Sequence, residues 1–153
     1  MTISDENGEL RYEAKGDSLF SFTWRVYQNG EEVAVVSRKV WSWSPTWLVS
    51  TNSDNFRVKR KVWSWMRTFF VFGGQYDGVT AVGKFWTNEF NISSQQRRIA
   101  SACGKVFSIR DMHSVEVTEE NDDDELFTAV IMVILLMDRR SENNNASSAS
   151  AGD

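Results

Sequence analysis

The sequence predicts a mainly-β domain, an antiparallel β-barrel wrapped around one central hydrophobic helix near the C-terminus. Three observations carry that expectation. One uninterrupted apolar run, LFTAVIMVILLM at residues 126–137, has acidic residues before it and basic residues after it. Turn dipeptides recur throughout the chain upstream of that run. A hexapeptide, Arg38-Lys39-Val40-Trp41-Ser42-Trp43, returns unchanged as Arg60-Lys61-Val62-Trp63-Ser64-Trp65.

From the N-terminus onward, Asn7-Gly8, Asn29-Gly30, Gly73-Gly74 and Asp77-Gly78 sit between runs of alternating or β-branched residues, the signature of strands joined by tight turns. Glu32-Val33-Ala34-Val35-Val36 and Phe69-Phe70-Val71-Phe72 have strand composition. Pro45, the only proline, marks a Ser-Pro-Thr corner. No stretch before residue 121 shows comparable helical spacing. The chain has 153 residues, enough for one domain with a core, and its seven tryptophans and ten phenylalanines exclude a disordered acidic chain.

The hexapeptide repeat has an offset of 22 residues, which also aligns Ala34 with Phe56, Val36 with Val58, Trp47 with Phe69 and Val49 with Val71. A fainter copy lies upstream, where Asn7-Gly8 precedes Leu19-Phe20-Ser21-Phe22. That period fits two strands and two tight turns, one step of an antiparallel meander. Trp41, Trp43, Trp63 and Trp65 alternate with serines. One face of each strand is then all tryptophan, expected in the core, with a lipid-facing or partner-facing belt as the alternative.

The apolar run is read as helix rather than buried strand. As a helix it is roughly 18 Å long, too short for a bilayer. Asn121-Asp122-Asp123-Asp124-Glu125 supplies cap oxygens and negative charge at its start, and Arg139-Arg140 supplies positive charge at its end. Thr128 carries the run's only hydroxyl, expected to bond back to its own helix. A helix apolar on every side must be covered on every side, here by the sheet. The barrel domain is expected over residues 1–140. Residues 141–153, small and polar, are expected to form a disordered tail.

These residues resemble the LURP-one-related family, including its bacterial YxjI-like members. The likeness covers about residues 2–140. It rests on the order and spacing of the Asn-Gly turn, Lys-Val-Trp-Ser-Trp-Ser-Pro-Thr-Trp, Val82-Gly83-Lys84-Phe85, Phe90-Asn91-Ile92, Ile99-Ala100, Lys105, and the Asp-rich turn before a helix reaching Asp138. The resemblance implies a twelve-stranded barrel of the Tubby C-terminal-like and phospholipid-scramblase-like fold around a hydrophobic helix. Family members usually carry one more strand ahead of Thr2-Ile3-Ser4-Asp5. The expectation is therefore a barrel one strand short, or one closed by a partner chain.

Function is less legible. The formal charge is −4, yet between residues 38 and 67 seven bases (Arg38, Lys39, Arg57, Lys59, Arg60, Lys61 and Arg67) face one acid, Asp54, while residues 111–125 carry eight acids and no Lys or Arg. The plain reading of the bases is the solvent face of a half-buried sheet. The functional reading makes Arg38, Lys39, Lys59, Arg60, Lys61 and Arg67 a site for anionic phospholipid headgroups at a membrane surface, and Tubby domains, by resemblance, bind phosphoinositides through exterior Lys and Arg. Charge reversal at Lys59, Arg60 and Lys61 is the corresponding test. Net acidity disfavours nucleic acid.

Cys103 and His113 could be imagined as a catalytic dyad, but a lone cysteine is expected as a small core residue. Asp122–Glu125 lacks the spacing of a calcium loop and is read as helix capping. One cysteine excludes an internal disulfide framework, and with one histidine it leaves no structural zinc cluster, so no metal or cofactor is expected. With no basic segment leading into an apolar one at the start, the expected location is cytoplasmic, peripheral at the membrane. The expectation is thus a non-enzymatic domain binding anionic phospholipid. The alternative is a stress- or defence-related scaffold that contacts a protein partner and has no small-molecule site.

Overall fold

In the computed structural model, described for residues 1–4, 7–18, 22–84, 89–102, 116–118 and 121–149, eleven strands follow one another into a single sheet in chain order. They are β1 (Thr2–Ser4), β2 (Leu10–Gly16), β3 (Thr23–Gln28), β4 (Glu31–Arg38), β5 (Thr46–Thr51), β6 (Asn55–Arg60), β7 (Arg67–Phe72), β8 (Thr80–Lys84), β9 (Glu89–Ser93), β10 (Arg98–Ala102) and β11 (Glu116–Val117). One helix, α1 (Asp122–Ala149), completes the chain. Every neighbouring pair is antiparallel, so the sheet is a pure meander. Its tight turns use the chemistry expected of them. Asn29 and Gly30 both take positive φ (51° and 82°), the requirement of a two-residue turn whose twist matches its strands.

Alternation sorts the side chains. Ala34 and Val36 of β4, Trp47 and Val49 of β5, Phe56 and Val58 of β6, and Phe69 and Val71 of β7 point inward and are buried. The rings of Trp47 and Phe69, equivalent positions of the repeat, lie 5.8 Å apart. The 22-residue period is therefore a step of two strands, as expected. At Gly83 a Cβ would run into the backbone of Glu89 and Phe90, so the β8–β9 approach needs glycine.

The sheet covers most of the helix surface. Phe127, Val130, Ile131, Val133, Ile134 and Met137 are buried, and Phe127 stacks on Tyr76 with ring centroids 3.8 Å apart. From Asp124 to Asp138 the helix is about 22 Å long, while a six-residue strand spans about 20 Å. The two lengths match, so the buried part of the helix fills the sheet from rim to rim. The sheet is nonetheless not closed, because no described pair joins β1 to β11. The mainly-β sheet around one C-terminal helix is as expected, and among the described residues it is open along one seam. With eleven antiparallel strands the two edges run in the same direction and cannot continue the alternation by pairing directly.

Two helix expectations are also corrected. The helix does not stop at Met137 but runs to Ala149, so much of the expected tail is helical. Contacts with the sheet offset the ordering entropy there: Asp138 and Glu142 bind Arg60 and Arg67, Arg38 donates to Ser141, and the Arg140 guanidinium lies 4.9 Å from the Trp24 ring centroid. Thr128, expected to bond its own helix, is buried with no partner for its hydroxyl. Leu19, Phe20, Ser21, Phe85, Cys103, Lys105, His113 and residues 150–153 lie outside the described residues.

At the helix start the capping reading is supported by named bonds. Asn121 Oδ1 accepts from the Asp124 amide at 2.8 Å, and the Asn121 amide side chain donates back to the Asp124 carboxylate at 3.1 Å. That carboxylate also accepts from Arg97 at 2.5 and 2.9 Å and from the Tyr76 hydroxyl at 2.9 Å, while Glu125 pairs with Arg11 at 2.8 Å. The Arg97 hydrogen bond holds the Asp124 carboxyl below its usual range against the opposing effect of burial, with help from Tyr76 and Asn121. A depressed folded pKa means stability that is present above the ordinary carboxylate value of about 4 and lost as pH falls through the lower folded value. Melting temperature measured down through the acid range is therefore expected to fall less steeply in Asp124→Asn than in the wild type. An identical slope would remove Asp124 from the acid response.

Candidate functional site

The same alternation that builds the core divides the six basic candidates into two sets. Arg38, Arg60 and Arg67 share inward parity with Val36, Val58 and Phe69. Their guanidiniums sit at the end of the sheet where the helix emerges. Both oxygens of buried Asp138 accept from Arg60, at 2.9 and 2.8 Å, and Oδ2 also accepts from Arg67 at 3.0 Å. Glu142, one turn on, accepts from Arg60 at 2.6 Å and from Arg67. Burial holds the Asp138 carboxyl above its usual range, opposed by the two guanidiniums. Arg60 and Arg67 thus fasten the helix to β6 and β7, and Arg38 of β4 donates to Ser141 of the same helix.

Lys39, Lys59 and Lys61 have the opposite parity. Lys39 and Lys61 are exposed, while Lys59 is half-buried with its ammonium 5.6 Å from the Phe72 ring centroid. The lysines surround the feature that sequence reasoning misplaced. Trp41, Trp43, Trp63 and Trp65 are 90%, 102%, 89% and 106% exposed, so the expectation of core packing is overturned. They do not lie in strands. β4 ends at Arg38 and β6 at Arg60, and the rest of each hexapeptide forms the connection to the next strand, residues 39–45 and 61–66.

Successive connections of a meander alternate between its two ends, so these two project from the same rim. Their bases are locked side by side. The Lys39 amide donates to Thr46 O at 2.8 Å, the Arg60 amide to Pro45 O at 2.9 Å and the Lys61 amide to Thr68 O at 2.8 Å. The Arg38 amide donates to Phe22 O at 2.6 Å, which brings exposed Phe22 of the β2–β3 connection to the same rim. Val40, Val62 and Met66 are exposed beside the tryptophans. The tryptophans stay outside because the inner positions at this level are filled by Trp47, Phe69 and the three arginines.

With this geometry in view, the model of the LURP-one-related family matches residues 1–136. The chain belongs to the LURP-one-related family. No curated protein and no solved structure is matched by it. In this LURP-one-related domain the match spans the whole described sheet and α1 as far as Leu136. It therefore includes both tryptophan turns and Asp138 lies just beyond it.

Sequence reasoning missed Asp138 and Glu142 as partners of Arg60 and Arg67, although an acid closing an otherwise apolar run was a signal for a buried pair. The tryptophan turns left a fainter trace. Strands that must match a helix of fixed length leave the surplus residues to the rim. Among the described residues of the LURP-one-related domain, no helix is long and apolar enough to cross a membrane.

Proposed function

We propose that this LURP-one-related domain is a non-catalytic module that docks peripherally on an anionic membrane surface, in keeping with a cytoplasmic location. The reading rests on one observation: four fully exposed tryptophans on two adjacent turns of one rim. A large apolar patch on a folded domain is costly unless something covers it. Tryptophan specifically favours the headgroup layer of a bilayer, where its ring is buried and its indole N–H stays hydrated. Lys39, Lys59 and Lys61 flank these turns, and residues 38–53 contain no acid, which complements phosphate. From Asn143 to Ala149 the emerging helix carries no charged residue to oppose that surface.

Vesicle sedimentation tests the proposal, with phosphatidylcholine alone compared with phosphatidylcholine containing phosphatidylserine at low and high salt. Binding is expected only with the anionic lipid, weakened by salt. Replacing the four tryptophans with alanine should cost roughly tenfold per residue, from the area each ring buries. Lys39→Glu with Lys61→Glu should cost about fivefold for each unit of charge removed. Arg60 is left intact, since reversing it would break the internal ion cluster. Binding that ignores lipid charge, or survives loss of the tryptophans, would overturn the reading and give the rim to a protein partner.

A further inference from the structure

The outer face of the sheet has a feature that neither the core nor the tryptophan rim explains. Ser37, Leu48, Arg57 and Phe72 are direct cross-strand neighbours on β4, β5, β6 and β7, all of outward parity. With Val35 and Ser50 beside them they line a shallow cleft of about 500 Å³. Leu48 is 50% and Phe72 39% exposed, two large apolar groups left in water on the middle of the sheet. The Arg57 guanidinium lies 5.7 Å, and the Lys59 ammonium 5.6 Å, from the Phe72 ring centroid. β5, β6 and β7 contain no acid, and among the described residues neither cation has an acidic partner.

Three properties of the face narrow its occupant. The cleft is too shallow to enclose a small molecule, whose sites bury most of their ligand. Asn55 and Gly73 lie at its far end, on the rim opposite the tryptophan turns, so a domain held to a membrane by those turns keeps the cleft in water. β4, β5, β6 and β7 are each paired on both sides, which leaves no backbone group for an added strand. Recognition must then run through side chains, as it does for a helix laid in a groove. Leu48 and Phe72 stand two strands apart, about 10 Å, which matches the rise between residues i and i+7 of a helix. Arg57 lies between them, level with i+3 and i+4. We propose that this face docks an amphipathic helix of a partner protein, lying across the strands. Apolar residues at i and i+7 sit on Leu48 and Phe72, and acids at i+3 and i+4 pair with Arg57 and Lys59. The apolar pair supplies buried area, and the charges fix orientation and partner choice.

The probe is an alanine-rich synthetic peptide of about twenty residues, long enough to be helical alone. It carries leucine at i and i+7 and glutamate at i+3 and i+4, and is titrated into the full chain labelled with nitrogen-15. One control has lysine for the glutamates, and another has serine for the leucines. Amide shifts are expected at Leu48, Arg57 and Phe72 with the glutamate probe, and each control should bind about tenfold more weakly. Arg57→Glu should reverse the charge preference, weakening the glutamate probe about tenfold and strengthening the lysine one. Leu48→Ser should weaken the glutamate probe about fivefold. Both positions are exposed, so each variant should melt within a few degrees of the wild type. Replacing the four rim tryptophans should leave probe binding unchanged, so cleft and rim are tested separately. Equal binding of the glutamate and lysine probes to the wild type, or no shift at these amides with any probe, would overturn the proposal. Self-association that shifts the same amides without a probe would overturn the assignment to a partner protein. Loss of anionic-vesicle binding in Leu48→Ser would give the face to lipid.

Discussion

Ile131→Asp is expected to yield no folded protein. Ile131 lies midway along the covered part of α1, 1% exposed, with Val130, Val133 and Ile134 equally enclosed around it. Losing the isoleucine costs about 2–5 kcal/mol in burial and cavity. Placing a carboxylate there without a partner costs several kcal/mol more, and protonating it only lessens that cost. The sum is comparable with the whole stability of a domain this size, about 5–15 kcal/mol. Far-UV circular dichroism and a heteronuclear NMR spectrum would decide it. Ile131→Val, by contrast, should cost about 1 kcal/mol and keep the fold. In the wild type, amides 126–137 should be among the slowest to exchange. A folded Ile131→Asp protein, or fast exchange in that segment, would mean that the helix is not the core of the sheet.

The second large effect is expected at the opposite end of the covered helix. Asp138→Ala should destabilise by about 3–5 kcal/mol, because two largely buried guanidiniums lose the carboxylate between them. Denaturant unfolding measures this directly. Replacing Asp138, Arg60 and Arg67 together with leucine should cost much less than the single substitution, since no charge is then left buried without a partner. If the single and triple variants were equally unstable, the cluster would matter for its shape rather than its charge. The comparison also bears on the proposed docking face. Arg60 and Arg67 are the last and first residues of β6 and β7, so the cluster anchors the base of the second tryptophan turn to the helix. Asp138→Ala is expected to loosen that turn first.

The eleven-stranded meander and its single helix were largely legible because each rests on a local rule. Asn-Gly turns, period-two alternation and an apolar run with an acidic start are short-range signals, and the repeat showed which strands are equivalent. Alternation in Phe56, Val58, Arg60 and in Arg67, Phe69, Val71 even held the division of bases into inward arginines and outward lysines, legible once the strand ends are known. Local rules do not set those ends. Trp-Ser-Trp alternates as a strand does, and only the length of the covered helix, matched by the six to eight residues of each strand from β2 to β7, left the four tryptophans beyond the rim. The helix, in turn, passed its apolar run because Asp138 and Glu142 met arginines from strands more than seventy residues earlier in the chain. By itself, then, the sequence determined the kinds of element, their order and the inner face of each. Tertiary structure alone decided where the strands stop, which charges are paired and which edge stays open. Those depend on the fit of sheet to helix and on contacts between residues distant in the chain, which no local pattern records.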